Sequence, residues 1–322
     1  MDLIGYTCSY LPVELLSATG LRPYRLLHGE VSLKETGERL VKVDACPLVK
    51  SNLGYLQKNK ERFRAVIGST GCDMARRQLE IIGEMLSLPV YIFNNPRTFN
   101  PKIYEEEINE LVDYLENLSQ RRFTPDLLQR EIERWEVIRE RFRNLDALRQ
   151  SGLLSTAHFH QLCLTYHQGE PNPFALPPHP SPPHPRVYLL GSPLSYSSNQ
   201  ILELLETRLQ IVGDFNCGLS RFLTIKIREK NLKGIVSAYW EQPPCPFKRP
   251  NDGFYQWVEK ELKNLRCLGI IAWTLDYCDC YEFELNRIEE RFSLPVLRLR
   301  SDFSFSNLSH LKLRISAFAE SL

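Results

Sequence analysis

The sequence lacks the features that direct a chain into a membrane or onto nucleic acid. No apolar run approaches the length of about 18 residues that a membrane span needs, and the polar amino terminus has no basic segment typical of a signal peptide. The 40 basic residues nearly balance the 39 acidic residues, which leaves a formal net charge of +1 and no strong field for an acidic partner. We therefore expect a cytoplasmic protein whose partners include neither nucleic acid nor a membrane.

Cys-x-x-Cys pairs are also absent, although the chain contains nine cysteines. Such pairs are typical of zinc ribbons and knuckles. Thiols stay reduced in the cytoplasm, so these cysteines do not indicate a disulfide framework. They are either small buried hydrophobic residues or metal ligands, and their positions have to distinguish the two.

What the sequence does contain is an internal repeat. A buried apolar stretch is followed by Cys72-Asp73, an amphipathic segment and Ser-Leu-Pro-Val, and the same order recurs around Cys278-Asp279. In both copies 15 residues separate the cysteine from the serine of Ser-Leu-Pro-Val. Each copy predicts a buried strand, a loop with the cysteine, a helix and a second strand. Ligands bind at this rim in open α/β sheets, so both cysteines are predicted beside a binding site.

The chain is long enough, at 322 residues, for two domains of roughly 150 residues each. Strands that alternate with helices predict an α/β fold with parallel sheets and right-handed crossovers. We predict a first α/β domain over residues 1–100, a charged helical region over 101–170 and a second α/β domain over 187–322. The proline-rich segment 171–186 is predicted as an extended, solvated linker.

Three local predictions can be checked against the structure. Thr124-Pro125-Asp126 predicts the start of a helix in the charged region. In the second domain, residues 222–231 are predicted as a helix and residues 234–239 as a strand.

The cysteines divide by predicted position. Cys163 in a predicted helix and Cys267 in a predicted strand are expected to be buried thiols that act as small hydrophobic residues. Cys280 leaves a choice, since Cys-Asp-Cys offers either cysteine, and the repeat spacing favours Cys278. Six cysteines lie in predicted loops or at predicted helix starts: Cys8, Cys46, Cys72, Cys217, Cys245 and Cys278.

These six cysteines have the internal symmetry of a metal site. Each half of the chain has one Cys-Pro, at Cys46 or Cys245, and one Cys-Asp, at Cys72 or Cys278. Thiolates drawn from distant loops suit iron–sulfur clusters held between two domains. Spacing alone does not exclude zinc.

Nearly the whole chain resembles the 2-hydroxyacyl-CoA dehydratase and benzoyl-CoA reductase superfamily. Taken together, the motifs that carry this resemblance are specific, although each alone is weak. They are GYTCSYLPVE at 5–14, DACPLVKS at 44–51, GCD at 71–73, DFNC at 214–217, PPCP at 243–246 and YCD at 277–279.

The resemblance implies two flavodoxin-like α/β domains plus a helical region, with iron–sulfur clusters between the domains. The six loop cysteines are most similar to the double-cubane cluster branch, in which two cubanes joined by a bridging sulfide form an [8Fe-9S] cluster. Another branch has subunits with one [4Fe-4S] cluster on three cysteines. Which cysteines form which triad is not legible from the repeat, because Cys8 and Cys217 have no symmetric counterparts.

In functional terms, the resemblance implies an enzyme, namely a low-potential iron–sulfur reductase of small molecules. An ATP-hydrolysing iron–sulfur activator would supply its electrons under anaerobic conditions. One alternative is a [4Fe-4S] subunit of a 2-hydroxyacyl-CoA dehydratase, and another is a non-enzymatic electron-relay subunit. We expect a homodimer, or a heterodimer with a related subunit. Acid–base residues are not legible, and Glu14 is expected to face the dipole of the first helix rather than the cluster.

Overall fold

Two parallel four-stranded sheets organise the protein, which we describe from a computed structural model for residues 2–41, 44–172, 180–304 and 308–322. The first half contributes β1 (Leu3–Tyr6), β2 (Arg22–Arg25), β3 (Phe63–Ser69) and β4 (Val90–Phe93). The second half contributes β5 (Arg186–Gly191), β6 (Gln210–Phe215), β7 (Gly269–Leu275) and β8 (Val296–Ser301). The strand orders are β2-β1-β3-β4 and β6-β5-β7-β8, and every neighbouring pair is parallel.

Helices connect and cover these strands. In the first half and the helical region they are α1 (Val13–Ala18), α2 (Val31–Gly37), α3 (Pro47–Asn59), α4 (Asp73–Leu86), α5 (Pro101–Ser119), α6 (Pro125–Gln150) and α7 (Thr156–His167). In the second half they are α8 (Asn199–Glu206), α9 (Leu232–Trp240), α10 (Asp252–Asn264), α11 (Asp279–Glu282), α12 (Leu285–Arg291) and α13 (Leu308–Glu320). Short 3₁₀ turns lie at Lys60–Arg62 and Ser220–Thr224. Within the described ranges, none of the helices has both the length and the apolar character of a membrane span.

The predicted α/β fold with parallel sheets is confirmed, and the sheets reproduce the sequence repeat. Both have the same strand order, so β3 and β7 occupy equivalent places. Cys72 follows β3 and Cys278 follows β7, as the repeat predicts. The copies differ afterwards, because α4 is one continuous helix whereas α11 and α12 divide the corresponding stretch.

Burial explains why these stretches form central parallel strands. All seven residues of β7 are buried, as are six of the seven residues of β3. Strands covered on both faces are typically continuous apolar runs of this kind. One hydrophobic cluster extends from the first sheet through α5, α6 and α7 to the second sheet, so the two halves share a core. A smaller cluster covers the other face of the second sheet.

The charged region contains the long helices that its periodicity predicts. Thr124 caps α6 as expected, since its hydroxyl accepts the backbone N–H of Leu127 at 3.3 Å. Asn100 caps α5 and Ser155 caps α7 in the same way. These caps fix where the helices begin between the two sheets.

The two local predictions for the second domain were wrong. Residues 234–239 lie in helix α9 rather than a strand, with Ile235, Ala238 and Tyr239 buried on one face. The predicted helix over 222–231 is only the short 3₁₀ turn followed by irregular chain. There the Arg143 guanidinium donates to two backbone carbonyl oxygens, of residues 223 and 225, which a helix would otherwise use.

Two elements had no sequence prediction, namely β1 and α2. Helix α2 packs very closely on α3 through Gly37 and Gly54, where an added Cβ would clash with backbone carbonyl oxygens of the facing helix. The domain boundaries drawn from the sequence stay predictions. Residues 173–179 of the predicted linker, including His179, lie outside the described residues.

Candidate functional site

The loops at the carboxyl ends of the two sheets meet, and the six candidate cysteines lie in them. Cys8 follows β1 and Cys217 follows β6. Cys245 lies between α9 and α10. The other three, Cys46, Cys72 and Cys278, are the N-cap residues of α3, α4 and α11.

Three of these residues, Cys8, Cys217 and Cys245, form what we call the first thiol group. Burial raises the pKa of Cys245 to about 12, and the neighbouring Cys217 and Cys8 thiols add to this effect. Burial also raises the pKa of Cys8, and Cys217 again adds to it. The Tyr10 hydroxyl accepts the backbone N–H of Cys245 at 3.2 Å. One member therefore comes from the first half and two from the second.

The other three, Cys46, Cys72 and Cys278, form the second thiol group. Burial raises the pKa of Cys46 to about 12, with Cys278 as the next cause and Cys72 a further one. Burial also raises the pKa of Cys278 to about 11, although the Ser192 hydroxyl opposes this by hydrogen bonding to the thiol. This group takes two members from the first half and one from the second.

Helix amino termini face the second thiol group. The Sγ of Cys72 accepts the backbone N–H of Ala75 at 3.3 Å. Cys46 and Cys278 make no such cap hydrogen bond, although nearby backbone N–H groups lower the pKa of both against the larger effect of burial. Free N–H groups and the helix dipole favour thiolates in these positions.

Cys280, which the sequence left ambiguous, lies beside Cys72. The Cys280 thiol donates a hydrogen bond to Cys72, which lowers the pKa of Cys72 to about 7, and the backbone N–H groups of α4 act in the same direction. The same bond raises the pKa of Cys280. The Cys280 thiol also lies 3.8 Å from the carbonyl oxygen of Gly71. Cys280 is thus a neighbour of the second thiol group.

Buried cations surround the first thiol group, and the sequence analysis missed them. Arg25, Arg221 and Lys248 are each only 2% exposed. Arg25 donates to the carbonyl oxygen of Cys217. The available signal was proximity along the chain, since Arg221 and Lys248 follow Cys217 and Cys245 within four residues.

Arg221 is held in place by its neighbours. Its guanidinium donates to the carbonyl oxygen of Pro243 at 2.6 Å and to the side chain of Gln242 at 3.3 Å. It also lies over the rings of Tyr10 and Phe215, 5.3 Å and 4.6 Å from their centroids. Its Nη1 has no hydrogen-bond acceptor among the described residues.

Lys248 is fixed as firmly. Its ammonium donates to Asn95 Oδ1 at 3.1 Å and to the carbonyl oxygen of Pro96 at 2.5 Å, and it lies 4.5 Å from the centroid of the Trp240 ring. Burial lowers the pKa of Lys248 to about 8, while the nearby Cys8 and Cys245 thiols oppose that shift. A buried cation therefore faces thiols of both halves.

The donor set, six cysteines in two groups of three, is of the kind that iron–sulfur clusters use. Within the described part of the chain, no three His, Cys, Asp or Glu side chains converge closely enough to hold one metal ion. A cluster is wider than an ion, so its thiolates stand farther apart. Apart from Cys46, the grouped thiols keep part of their surface accessible. Thr7 Oγ1 and Arg221 Nη1 are buried and have no hydrogen-bond partner among the described residues, which suits donors to cluster or thiolate sulfurs.

The remaining cysteines lie elsewhere. Cys163 is fully buried in α7 near Arg149. Cys267 is buried before β7 near Arg186. Both positions match the prediction of buried thiols.

Glu14 has a role that the sequence did not predict. It lies in the first turn of α1 as expected, yet its fully buried carboxylate pairs with Arg139 of α6 at 2.5 Å. It also accepts the Tyr239 hydroxyl of α9 at 2.8 Å. Glu14 therefore connects the first half, the helical region and the second half.

Comparisons with known proteins agree with this site. A family model described as "2-hydroxyglutaryl-CoA dehydratase, D-component" matches residues 8–322. The Escherichia coli (strain K12) protein named "Putative dehydratase subunit YjiM" is 20% identical over 372 aligned residues, which cover 100% of this chain and 92% of that protein.

Proposed function

The chain belongs to the 2-hydroxyglutaryl-CoA dehydratase D-component family, and from that premise we propose that it is an iron–sulfur enzyme subunit with an [8Fe-9S] double cubane between its halves. The observation that carries the proposal is the arrangement of six thiols in two groups of three. Each group takes members from both halves, as a cluster held between two docked units requires. The dehydratase family and the name of the relative support an enzyme rather than a structural subunit.

The chain's own residues have distinct tasks in this proposal. Cys8, Cys217 and Cys245 hold one cubane, and the second thiol group holds the other. The backbone N–H of Ala75 at the start of α4 stabilises the thiolate of Cys72. When bound, such a cluster supplies single electrons at low potential for reduction or dehydration of a small substrate.

A low-potential cluster needs a donor that is coupled to another source of free energy. We propose that an ATP-hydrolysing iron–sulfur activator docks on this chain and delivers one electron at a time. We also propose that the chain pairs with a second copy or with a related subunit. Reduction of the cluster should then need the activator, ATP and exclusion of oxygen together. Full reduction by a mild donor alone would contradict this coupling.

The decisive experiment is metal analysis of protein purified without oxygen. About eight irons per chain, with acid-labile sulfide, support the double cubane, whereas about four support a [4Fe-4S] subunit. Zinc without iron would contradict both. Cys46→Ser and Cys245→Ser should lose iron and visible absorbance. Cys163→Ser and Cys267→Ser are matched controls that should keep both.

The second candidate is a [4Fe-4S] subunit of a 2-hydroxyacyl-CoA dehydratase, which the family description favours. In that case only one thiol group would bind iron. Serine substitutions in the other group would then leave the iron content unchanged. Turnover of a 2-hydroxyacyl thioester with activator and ATP would distinguish either enzyme from a protein that only relays electrons.

A further inference from the structure

The charges around the two thiol groups differ, and we propose that the first thiol group forms the half of the cluster that accepts the first electron. The inference rests on the proposed function, because it requires a cluster that spans both groups. The transfer is one electron from an external donor to one ferric iron, which becomes ferrous, with no bond made or broken. The fixed charges that the protein places around each thiol group decide which group's irons are reduced first.

The first thiol group faces full positive charges that cannot move away. Arg221 is anchored on backbone and amide oxygens and lies over two rings, so its guanidinium is held beside Cys245. Lys248 and Arg25 are tied to backbone carbonyl oxygens in the same way. All three are almost fully buried, so salt and water screen their charges weakly.

The second thiol group has a different environment. Cys72 and Cys278 are each followed by an exposed carboxylate, Asp73 and Asp279. The buried Lys50, four residues after Cys46, is paired with Glu38 at 3.2 Å. Helix amino termini contribute positive potential there, but as partial charges of about half a unit each. The first thiol group also has a carboxylate nearby, Asp214, but this is buried and paired with Arg149 at 2.7 Å. With Arg25, Arg221 and Lys248 added, the balance of charge is more positive around the first thiol group.

Reduction adds negative charge, so nearby positive charge stabilises the reduced state and raises the reduction potential. The half held by Cys8, Cys217 and Cys245 should therefore be reduced first. Arg221 is the residue to test, since its unpaired Nη1 offers both a charge and a hydrogen-bond donor. We assign it a positioning and tuning role, because it acts through the cluster rather than on substrate.

The test is a titanium(III) citrate titration of the anaerobically purified full chain, followed by electron paramagnetic resonance, with the iron content measured on each sample. Arg221→Gln should shift the first reduction step to a more negative potential and bring it closer to the second step. Arg221→Lys keeps the charge and should keep the first step near its wild-type potential, even if less cluster is assembled. Arg77→Gln, which removes an exposed charge from α4, is the matched control and should shift neither step.

The outcomes separate this inference from the proposed function. If Arg221→Gln retains about eight irons but leaves the first step in place, or shifts only the second step, the assignment of the accepting half is wrong while the double cubane stands. If Arg221→Lys shifts the first step as much as Arg221→Gln, the effect is structural and the electrostatic assignment is wrong. About four irons, or zinc alone, in the wild-type protein would remove the spanning cluster and this inference together.

Discussion

The buried pair of Glu14 and Arg139 should contribute strongly to the stability of the contact between the first half and the helical region. Both side chains have no exposed surface. Arg139→Met would leave the Glu14 carboxylate buried with the Tyr239 hydroxyl as its donor and no cation beside it. Removing one partner of a buried ion pair costs about 3–5 kcal/mol, because the other charge stays buried and uncompensated.

The reverse substitution should cost less, for a reason visible in the structure. Glu14→Gln keeps one oxygen that can accept from Arg139, and its amide N–H can donate to the Tyr239 hydroxyl oxygen where the carboxylate accepted from it. Arg139 would also keep Glu136, a half-buried carboxylate 2.5 Å away. We therefore expect a loss of about 1–3 kcal/mol, the range for a weakened buried hydrogen bond. The double variant should be more stable than Arg139→Met alone, because it contains no unpaired buried charge.

The assay is urea unfolding followed by circular dichroism, with the free energies compared at a common denaturant concentration. Lys230→Met is the matched control, since the exposed pair of Lys230 and Glu133 also joins α6 to the second half. Exposed pairs contribute about 0–1 kcal/mol. If Arg139→Met cost no more than Lys230→Met, or if the double variant lost the sum of its single losses, our explanation of this contact would be refuted.

Three further predictions address the same framework. Tyr239→Phe removes the hydroxyl that donates to the Glu14 carboxylate, and calorimetry should show a loss of about 1.5–3 kcal/mol; a neutral effect would contradict the bond. Gly218→Ala places a Cβ against the carbonyl oxygen of Leu194, so the free energy of unfolding should fall by about 1–3 kcal/mol. The clash should also displace the adjacent Cys217 loop, which would be measured as a reduced iron content. Burial lowers the pKa of His160 to about 4. As the pH falls below about 6.5, His160 is protonated in the unfolded chain but stays neutral in the folded protein, which favours unfolding. About 3 kcal/mol of stability should therefore be lost by pH 4. Unfolding of His160→Gln across that range should lack this share, and an unchanged pH profile would contradict it.

The sequence could predict the described strands other than β1, because each is a short local run between turns. It could also place Cys72 and Cys278 in equivalent loops, since that depends only on the order of elements. It could not predict α9, because Ile235, Ala238 and Tyr239 suit a strand locally and only packing against the helical region selects a helix. Tertiary packing overrides propensity in such short apolar segments.

Which cysteines come together in each thiol group could not be predicted from the sequence, for a different reason. Cys8 neighbours Cys217 and Cys46 neighbours Cys278 because the two halves dock in one particular way. No spacing within either half contains that information. The same holds for Arg221 and Lys248, which resemble ordinary surface residues in the sequence but are buried by the docking.

In the proposed function each thiol group is completed only when the halves are together, so metal binding and docking would form a single equilibrium. Every iron–thiolate bond to one half then stabilises its contact with the other by mass action. Neither half should retain a cubane if the chain is cut in the proline-rich segment and the pieces separated, whereas remixing them with iron and sulfide should restore both. The visible absorbance of the cluster would therefore measure whether the two halves are docked. A perturbation that opened the interface would reduce the absorbance from both thiol groups at the same time.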